Sequence, residues 1–341
     1  LADITVNGRA VKALAQPTKQ AFLYVLNRET GEPVWPIEER PVPKGDVPGE
    51  WYAPTQPHPT RPPAYDGQGL TTDDLIDFTP ALRAEAVQIV SRYRLGPIFT
   101  PPSLSRAEGP IATLTMGAQA AATNWPGGSY DPETHTVFVA SQTSIATLGL
   151  VPAPPGASDL PYFQGTVLSG ARLTGGSGSG AGAAPRAAGT EASGSATLTV
   201  QGLPLVKPPY SRITAIDLDR GAFRWQVPFG GTPDAIRNHP ALKGLSLPPL
   251  GRPGNNVGTL VTKTLLVAGE GNLGPTPDGR RGAMLRAFDK ASVAEVGAVY
   301  MPAPQTGSPM TYMIDGTQYL VVAIGGAGHA GELLAFRVGA R

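Results

Sequence analysis

The sequence predicts an all-β chain, and the recurrence of one local unit predicts that its strands are arranged as a β-propeller. Three observations carry this. First, a strand, an Asp- or Asn-bearing turn ending in Gly or a small residue, and a second strand appear as "LYVLNRETGEPVW" (23–35), "ITAIDLDRGAFRWQV" (213–227) and, with the Gly and Trp lost, "LRAFDKASVAEVGAV" (285–299). Asp and Asn bond their own backbone in such turns and Gly supplies a positive φ. Second, Gly 43 and Pro 37 in 341 residues shorten helices and multiply turns. Third, a single stretch has helical periodicity. Spaced hairpins with few helices are the sequence form of a propeller. A non-repeating β-sandwich is the alternative that the pattern alone leaves open.

Taken in order, "LADITVNGRAVKAL" alternates like a strand and turns at Asn7-Gly8, a hairpin dipeptide. "AFLYVL" (21–26) is rich in strand formers and stops at "NRETG", with Lys19 at its head. A lone Lys there reads first as a solvated side chain. Residues 38–110 are Pro-rich and hold the helical stretch, "TTDDLIDFTPALRAEAVQIVSRYR" (71–94), acidic at its start and basic at its end in accord with the helix dipole. "SYDPETHTVFVAS" (129–141) and "MTYMIDGTQYLVVAI" (310–324) are hairpins of the same kind. Residues 174–198, "TGGSGSGAGAAPRAAGTEASGSATL", are too poor in apolar side chains to repay ordering by burial and read as a surface insert. The Trp after each complete turn is expected to pack between neighbouring blades.

Composition excludes several classes. Lys+Arg 27 against Asp+Glu 26 gives a net charge of +1, so no global field draws nucleic acid. Cys is 0, which removes disulfides and thiolate metal sites. The four His have no metal-ligand spacing, and no G-x-S-x-G marks a nucleophile. Asp73-Asp74 reads as helix capping rather than acid–base chemistry.

Beyond these patterns, Lys19 with "LYVLNRETGEPVWP", then "PVPKGDVPGEWYAPTQPHPT", "GPIFTPPS", "NWPGGSYDPETHTVFVAS", "RITAIDLDRGAFRWQVP", "LRAFDK" and "GSPMTYMIDGTQYLVVAIGGAGHAGELLAF" occur in one order. Together they resemble the pyrroloquinoline quinone (PQQ)-dependent dehydrogenases, nearest the membrane-type glucose dehydrogenases. The resemblance spans the chain apart from 174–198. It implies an eight-bladed propeller with PQQ flat on its axis beside Ca2+ or Mg2+. Blades take about forty to fifty residues each, so residues 1–341 would be the C-terminal part of one propeller domain. The catalytic Asp, the metal ligands and the aromatic that stacks on the quinone would lie in an upstream part, either a second chain or the rest of a longer product. The last strand, "GELLAFRV", is expected to pair with a strand from that part.

The resemblance also assigns residues. Lys19 would point at the quinone oxygens and stabilise negative charge there, although "KQA" stands where the family often has Lys-Thr-Gly or Lys-Asn-Gly. Asn124 and Trp125 match an Asn-Trp pair beside the cofactor in the related alcohol dehydrogenases; the competing reading is a turn Asn and a core Trp. Gly258 and Thr259, in "GRPGNNVGTLVTKTLLVAGEG" (251–271), would offer main-chain N–H groups to a carboxylate. Ser141 falls one residue off a position where glucose dehydrogenases can bear an Asn. The implied activity is oxidation of an aldose or alcohol, with electrons passed through PQQ to an external acceptor, a quinone or cytochrome, in the periplasm or another extracytoplasmic setting. The alternative is a propeller that serves as a scaffold and has lost the quinone site; an Asp about ten positions upstream of Leu1 would favour the enzyme.

Overall fold

A computed structural model describes residues 1–118, 122–156, 158–171, 198–254, 256–326 and 328–337. The insert expected at 174–198 lies outside the described residues except for its last position. Four sheets carry the repeat. The first joins Ala2–Val6, Arg9–Pro17 and Leu23–Asn27, with Pro33 bridged to Leu26 at its outer edge. The second runs Gly128–Asp131, Thr136–Gln142, Ser211–Asp217, Ala222–Pro228 in spatial order. The third is Thr259–Val261, Leu265–Gly269, Arg281–Asp289, Glu295–Met301, with a short edge pairing at Gly274–Pro275. The fourth is Met310–Ile314, Thr317–Gly326 and His329–Arg337.

Three apolar cores hold these sheets face to face. Ile4, Leu23 and Val25 meet Val137, Val139 and Ile216 between the first and second. Phe138, Ile213 and Ala215 meet Val257, Leu266 and Ala268 between the second and third. Val267, Leu285 and Met301 meet Val322 and Ile324 between the third and fourth. Alternation puts every other residue of a strand into one core and its neighbours into the next, which is why Val267 and Leu266 serve opposite sides. This serial packing is blade-on-blade stacking, as the repeat predicts. On the far side of the fourth sheet Met310 (53%), Ile314 (52%) and Leu333 (72%) stay exposed.

The turn chemistry is the same in every copy. Asn27 Oδ1 accepts from the N–H groups of Glu29 and Thr30, Asp217 Oδ1 from Asp219 and Arg220, and Asp289 Oδ1 from Ala291 and Ser292. Four residues on, Gly31, Gly221 and Val293 donate back to Asn27, Asp217 and Asp289. Each of those donors is left-handed, at φ 79°, 61° and 67°. The degenerate third copy therefore forces a β-branched side chain into a conformation that suits glycine. The expected role of the Trp residues is met. A Cβ at Gly221 would lie 3.0 Å from the Trp35 ring, so the Trp of the first sheet lies on the Gly turn of the second. Trp225 sits 5.6 Å from Phe138 and packs in the core between the second and third sheets.

The helix is shorter than its sequence signal. Thr72–Asp74 is a separate 3-10 turn, closed where Asp74 accepts from the Thr71 N–H at 2.7 Å. Helix α1 spans Pro80–Val90, and the Thr79 hydroxyl accepts from Leu82 N–H at its start. Pro80 explains the break: it disfavours helix at the residue before it and fits the first helical position, where no N–H is needed. Asp74 thus caps its own turn instead of opening α1, and Asp73 meets Arg83 of α1 at 3.7 Å. Leu82, Ala86 and Val90 of α1 pack with Leu70, Leu114, Leu203 and Tyr210 in a fourth core, built from the connections that leave the first and second sheets. The short helices Asp234–Arg237 and Pro240–Leu242 had no sequence signal.

Candidate active site

The predicted residues lie on loops at the sheet ends, except Thr259, which opens the strand Thr259–Val261. Lys19 stands in the turn that joins Arg9–Pro17 to Leu23–Asn27, closed by Ala21 N–H to Thr18 O (3.1 Å) and Thr18 N–H to Phe22 O (3.0 Å). The turn needs a left-handed residue, and Ala21 supplies it at φ 64°; this is the place where the family often has Gly. The Lys19 side chain is exposed and has no hydrogen bond or ion pair among the described residues. Lys12, Lys207 and Lys290, by contrast, each meet a carboxylate within 3.0 Å.

Tyr65 ties this turn to the loop that bears Asn124. It is fully buried, and its hydroxyl donates to Thr18 O at 2.8 Å and accepts from Thr18 N–H at 3.0 Å. Thr123, the neighbour of Asn124, lies beside the same phenol, with its own hydroxyl donating to Ala140 O at 2.8 Å. Burial outweighs these hydrogen bonds and pushes the phenol well above its ordinary pKa, so it stays protonated as donor and acceptor.

Beyond Thr123 the loops of the second, third and fourth sheets interlock. Asn124 Nδ2 donates to Asn256 Oδ1 at 3.2 Å. Trp125 is 68% exposed, and a Cβ at Gly307 would lie 3.3 Å from its ring, so the indole rests on bare backbone. Gln305, 1% exposed, donates to the carbonyls of Gly258 (2.7 Å) and Gly307 (2.6 Å) and accepts from Gly269 N–H. A buried charge network anchors the start of the 251–258 loop. Glu270 accepts from Arg252 Nη1 at 2.7 Å and from Arg286 Nη2 at 2.8 Å, and also from the N–H groups of Gly231 and Met284. Gly274 leaves the room: a Cβ there would fall 2.1 Å from the Arg252 guanidinium.

The structure thus brings Asn124 and Trp125 together with Asn256 and Gly307, and Tyr65, which holds the Lys19 turn at Thr18, shares a core with Ala122 of the same loop. Gly258 and Thr259 sit beside this group with their polar groups engaged inside the fold. Gly258 N–H donates to Gly307 O at 3.2 Å, and Thr259 is buried with its hydroxyl 2.8 Å from Ser129 Oγ. Ser141 is buried as well and donates to Asp66 Oδ2. His329 lies in the last hairpin of the fourth sheet and meets Glu332 at 2.8 Å. Tyr65, Gln305, Arg252 and Glu270 were missed from sequence, since nothing local distinguishes a buried tether from a loop polar residue.

Among the described non-glycine residues only Phe99 and Ala122 have positive φ outside a turn that joins two paired strands; Ala122 lies two residues before Asn124, and Ala21 has positive φ within the Lys19 turn. Such strain concentrates at functional sites.

The exposed Lys19 ammonium, the Asn124 amide and the Trp125 indole N–H are donors of the kind a planar, polycarboxylate quinone such as PQQ takes. Among the described residues no group of three His, Cys, Asp or Glu could hold a metal ion, and no helix is long and apolar enough to cross a membrane.

Comparison with known proteins sharpens this. The family model described as "PQQ: Glucose/ethanol/alcohol dehydrogenase, beta-propeller domain" matches residues 1–320. The glycerol dehydrogenase large subunit of Gluconobacter thailandicus is 30% identical over 94% of this chain and 41% of its own length. The quinoprotein glucose dehydrogenase of Escherichia coli is 28% identical over 97% of this chain and 38% of its own. The quinate/shikimate dehydrogenase (quinone) of Acinetobacter baylyi is 27% identical over 94% and 37%. The chain therefore spans about two fifths of the length of these curated relatives. A solved structure, the quinohemoprotein alcohol dehydrogenase of Comamonas testosteroni, aligns with 95% of the chain and 33% of its own at 18% identity and a TM-score of 0.45.

Proposed function

This chain belongs to the PQQ glucose/ethanol/alcohol dehydrogenase β-propeller family, and on that premise we propose that it forms part of a quinoprotein dehydrogenase that oxidises an alcohol or aldose. The observation that carries the proposal is the unpaired, exposed ammonium of Lys19, on a turn that the buried Tyr65 hydroxyl holds at Thr18. PQQ, when bound, accepts the two electrons and passes them to an external quinone or cytochrome. Lys19 supplies a fixed positive charge at the quinone oxygens, worth most where water is excluded. Asn124, oriented by Asn256, offers its remaining amide capacity to a cofactor oxygen. Trp125, resting on Gly307, presents its indole at the rim. The Arg252–Glu270–Arg286 network and Gln305 hold the loops that set these positions.

The remaining blades, the catalytic Asp and the ligands of a Ca2+ or Mg2+ ion belong in this reading to a part outside the chain, working outside the cytoplasm. The apolar face of the fourth sheet, with Leu333 72% exposed, supports such a neighbour. The test is to add PQQ with Ca2+ or Mg2+ to the intact protein and follow dye reduction with sugars and alcohols. Substrate-dependent reduction is expected; none with any substrate would sink the proposal.

A further inference from the structure

One cleft opens beside the Lys19 turn. It has a volume of about 480 Å³ and is lined among others by Gln20, Trp51, Tyr52, Gln56, Phe99 and Thr100. Gln20 is the residue after Lys19, so the cleft begins where the quinone-facing turn ends. This volume falls within the roughly 300–1,000 Å³ of small-molecule sites.

Its chemistry is selective. None of the residues lining it is charged, so its walls give a carboxylate or phosphate no ion-pair partner. Trp51 is 81% exposed, an unusual position for the largest apolar side chain unless a ligand covers it. Phe99 is held left-handed, at φ 68°, with its ring 6.4 Å from Phe22 and 5.5 Å from His58. The strained backbone and the aromatic packing fix one wall. The side-chain amides of Gln20 and Gln56 have no hydrogen-bond partner among the described residues, whereas the Thr100 hydroxyl already donates to Pro97 O at 2.7 Å and the Tyr52 hydroxyl accepts from Val47 N–H at 3.2 Å. Aromatic faces carry negative partial charge and suit the C–H face of a ring or chain that bears many hydroxyls. Free amides, each able to donate and accept, suit the hydroxyls.

We propose that this cleft binds the substrate as an uncharged polyol, an aldose or sugar alcohol, with Trp51 as its stacking platform and Gln20 and Gln56 as its hydroxyl partners. The proposal rests on the dehydrogenase reading and narrows it, since it sets polyols bearing a carboxylate apart from uncharged ones.

The test uses the intact protein. Tryptophan fluorescence is titrated with D-glucose, glycerol and quinate, both without cofactor and after loading with PQQ and metal. Glucose is expected to give a saturable change that Trp51→Ala removes, and quinate to bind at least about tenfold more weakly. In the loaded enzyme Trp51→Ala and Gln56→Ala should raise KM for glucose about tenfold, with kcat within a few-fold and kcat/KM for 1-propanol unchanged. Quinate binding as tightly as glucose, equal shifts for glucose and 1-propanol, or no glucose signal in either form would overturn the assignment. Binding is read without turnover, so a glucose signal in a protein that never reduces dye would leave the cleft intact and remove the dehydrogenase reading instead.

Discussion

Substituting Gly221 by Ala tests the contact that joins the first two blades. Two costs add. Gly221 sits at φ 61°, where an L-residue costs about 1–2 kcal/mol. The new methyl would also lie 2.9 Å from Arg61 Cβ and 3.0 Å from Trp35 Cε2 and Cζ2, inside contact distance, and overpacking of this kind costs about 1–3 kcal/mol. Gly221→Ala should therefore destabilise by about 2–5 kcal/mol, read as a lowered guanidinium unfolding midpoint of the intact protein with an unchanged slope. In a Trp35→Leu background the Trp35 share of the steric part should vanish while the Arg61 contact and the backbone part remain, so the two substitutions should be non-additive. A cost under about 1 kcal/mol, or the same cost with and without Trp35, would refute the Trp-on-Gly packing.

The other expectations are these. Val293→Gly should stabilise by about 1 kcal/mol, since it relieves a β-branched residue at φ 67° with little burial to lose; an unchanged or lowered unfolding midpoint would speak against it. Tyr65→Phe should cost about 1 kcal/mol, because Thr18 N–H and O each lose one of two partners, and should weaken PQQ binding in a cofactor titration; full affinity would mean that Tyr65 does not position the site. Between the second and third blades Lys290 meets Asp131 at 2.8 Å. Burial opposes ionisation of Asp131, but hydrogen bonds from Lys290, Thr134 and the Glu133 N–H outweigh it and hold the carboxyl below its ordinary pKa. A depressed folded pKa means that the stabilisation is whole above the unfolded value, about 3.9, and is lost as pH falls through the folded one. Urea midpoints from pH 6 to pH 3 should fall at the acid end, and Lys290→Met should flatten that fall.

Much of the fold was legible because it is written in local chemistry. The Asn27, Asp217 and Asp289 turns, the Asn7-Gly8 hairpin and the strand alternation each follow from a few adjacent residues. The start of α1 was obscured by reading Asp73-Asp74 as its cap, when Pro80 sets the boundary. The site was legible only in part. Lys19, Asn124 and Trp125 stand out through a resemblance of whole blocks, whereas Gly258 and Thr259 looked available until the structure showed Gly307 and Ser129 against them. Tyr65, Gln305 and Glu270 act through partners tens of residues away. A single sequence gives no sign of such pairings, since a buried acceptor and a solvated one are the same letter.

The most direct test of the account is the turnover of the intact, PQQ-loaded protein with Lys19 replaced by Ala. The ammonium is exposed and unpaired in the fold, so the unfolding midpoint should not move, while dye-linked turnover should fall by about 10²–10³, as for loss of one charge-stabilising donor. Lys19→Arg should recover only part of it, because a planar fork does not replace a point charge. Turnover in Lys19→Ala equal to that of the parent would contradict the placement of Lys19 at the quinone.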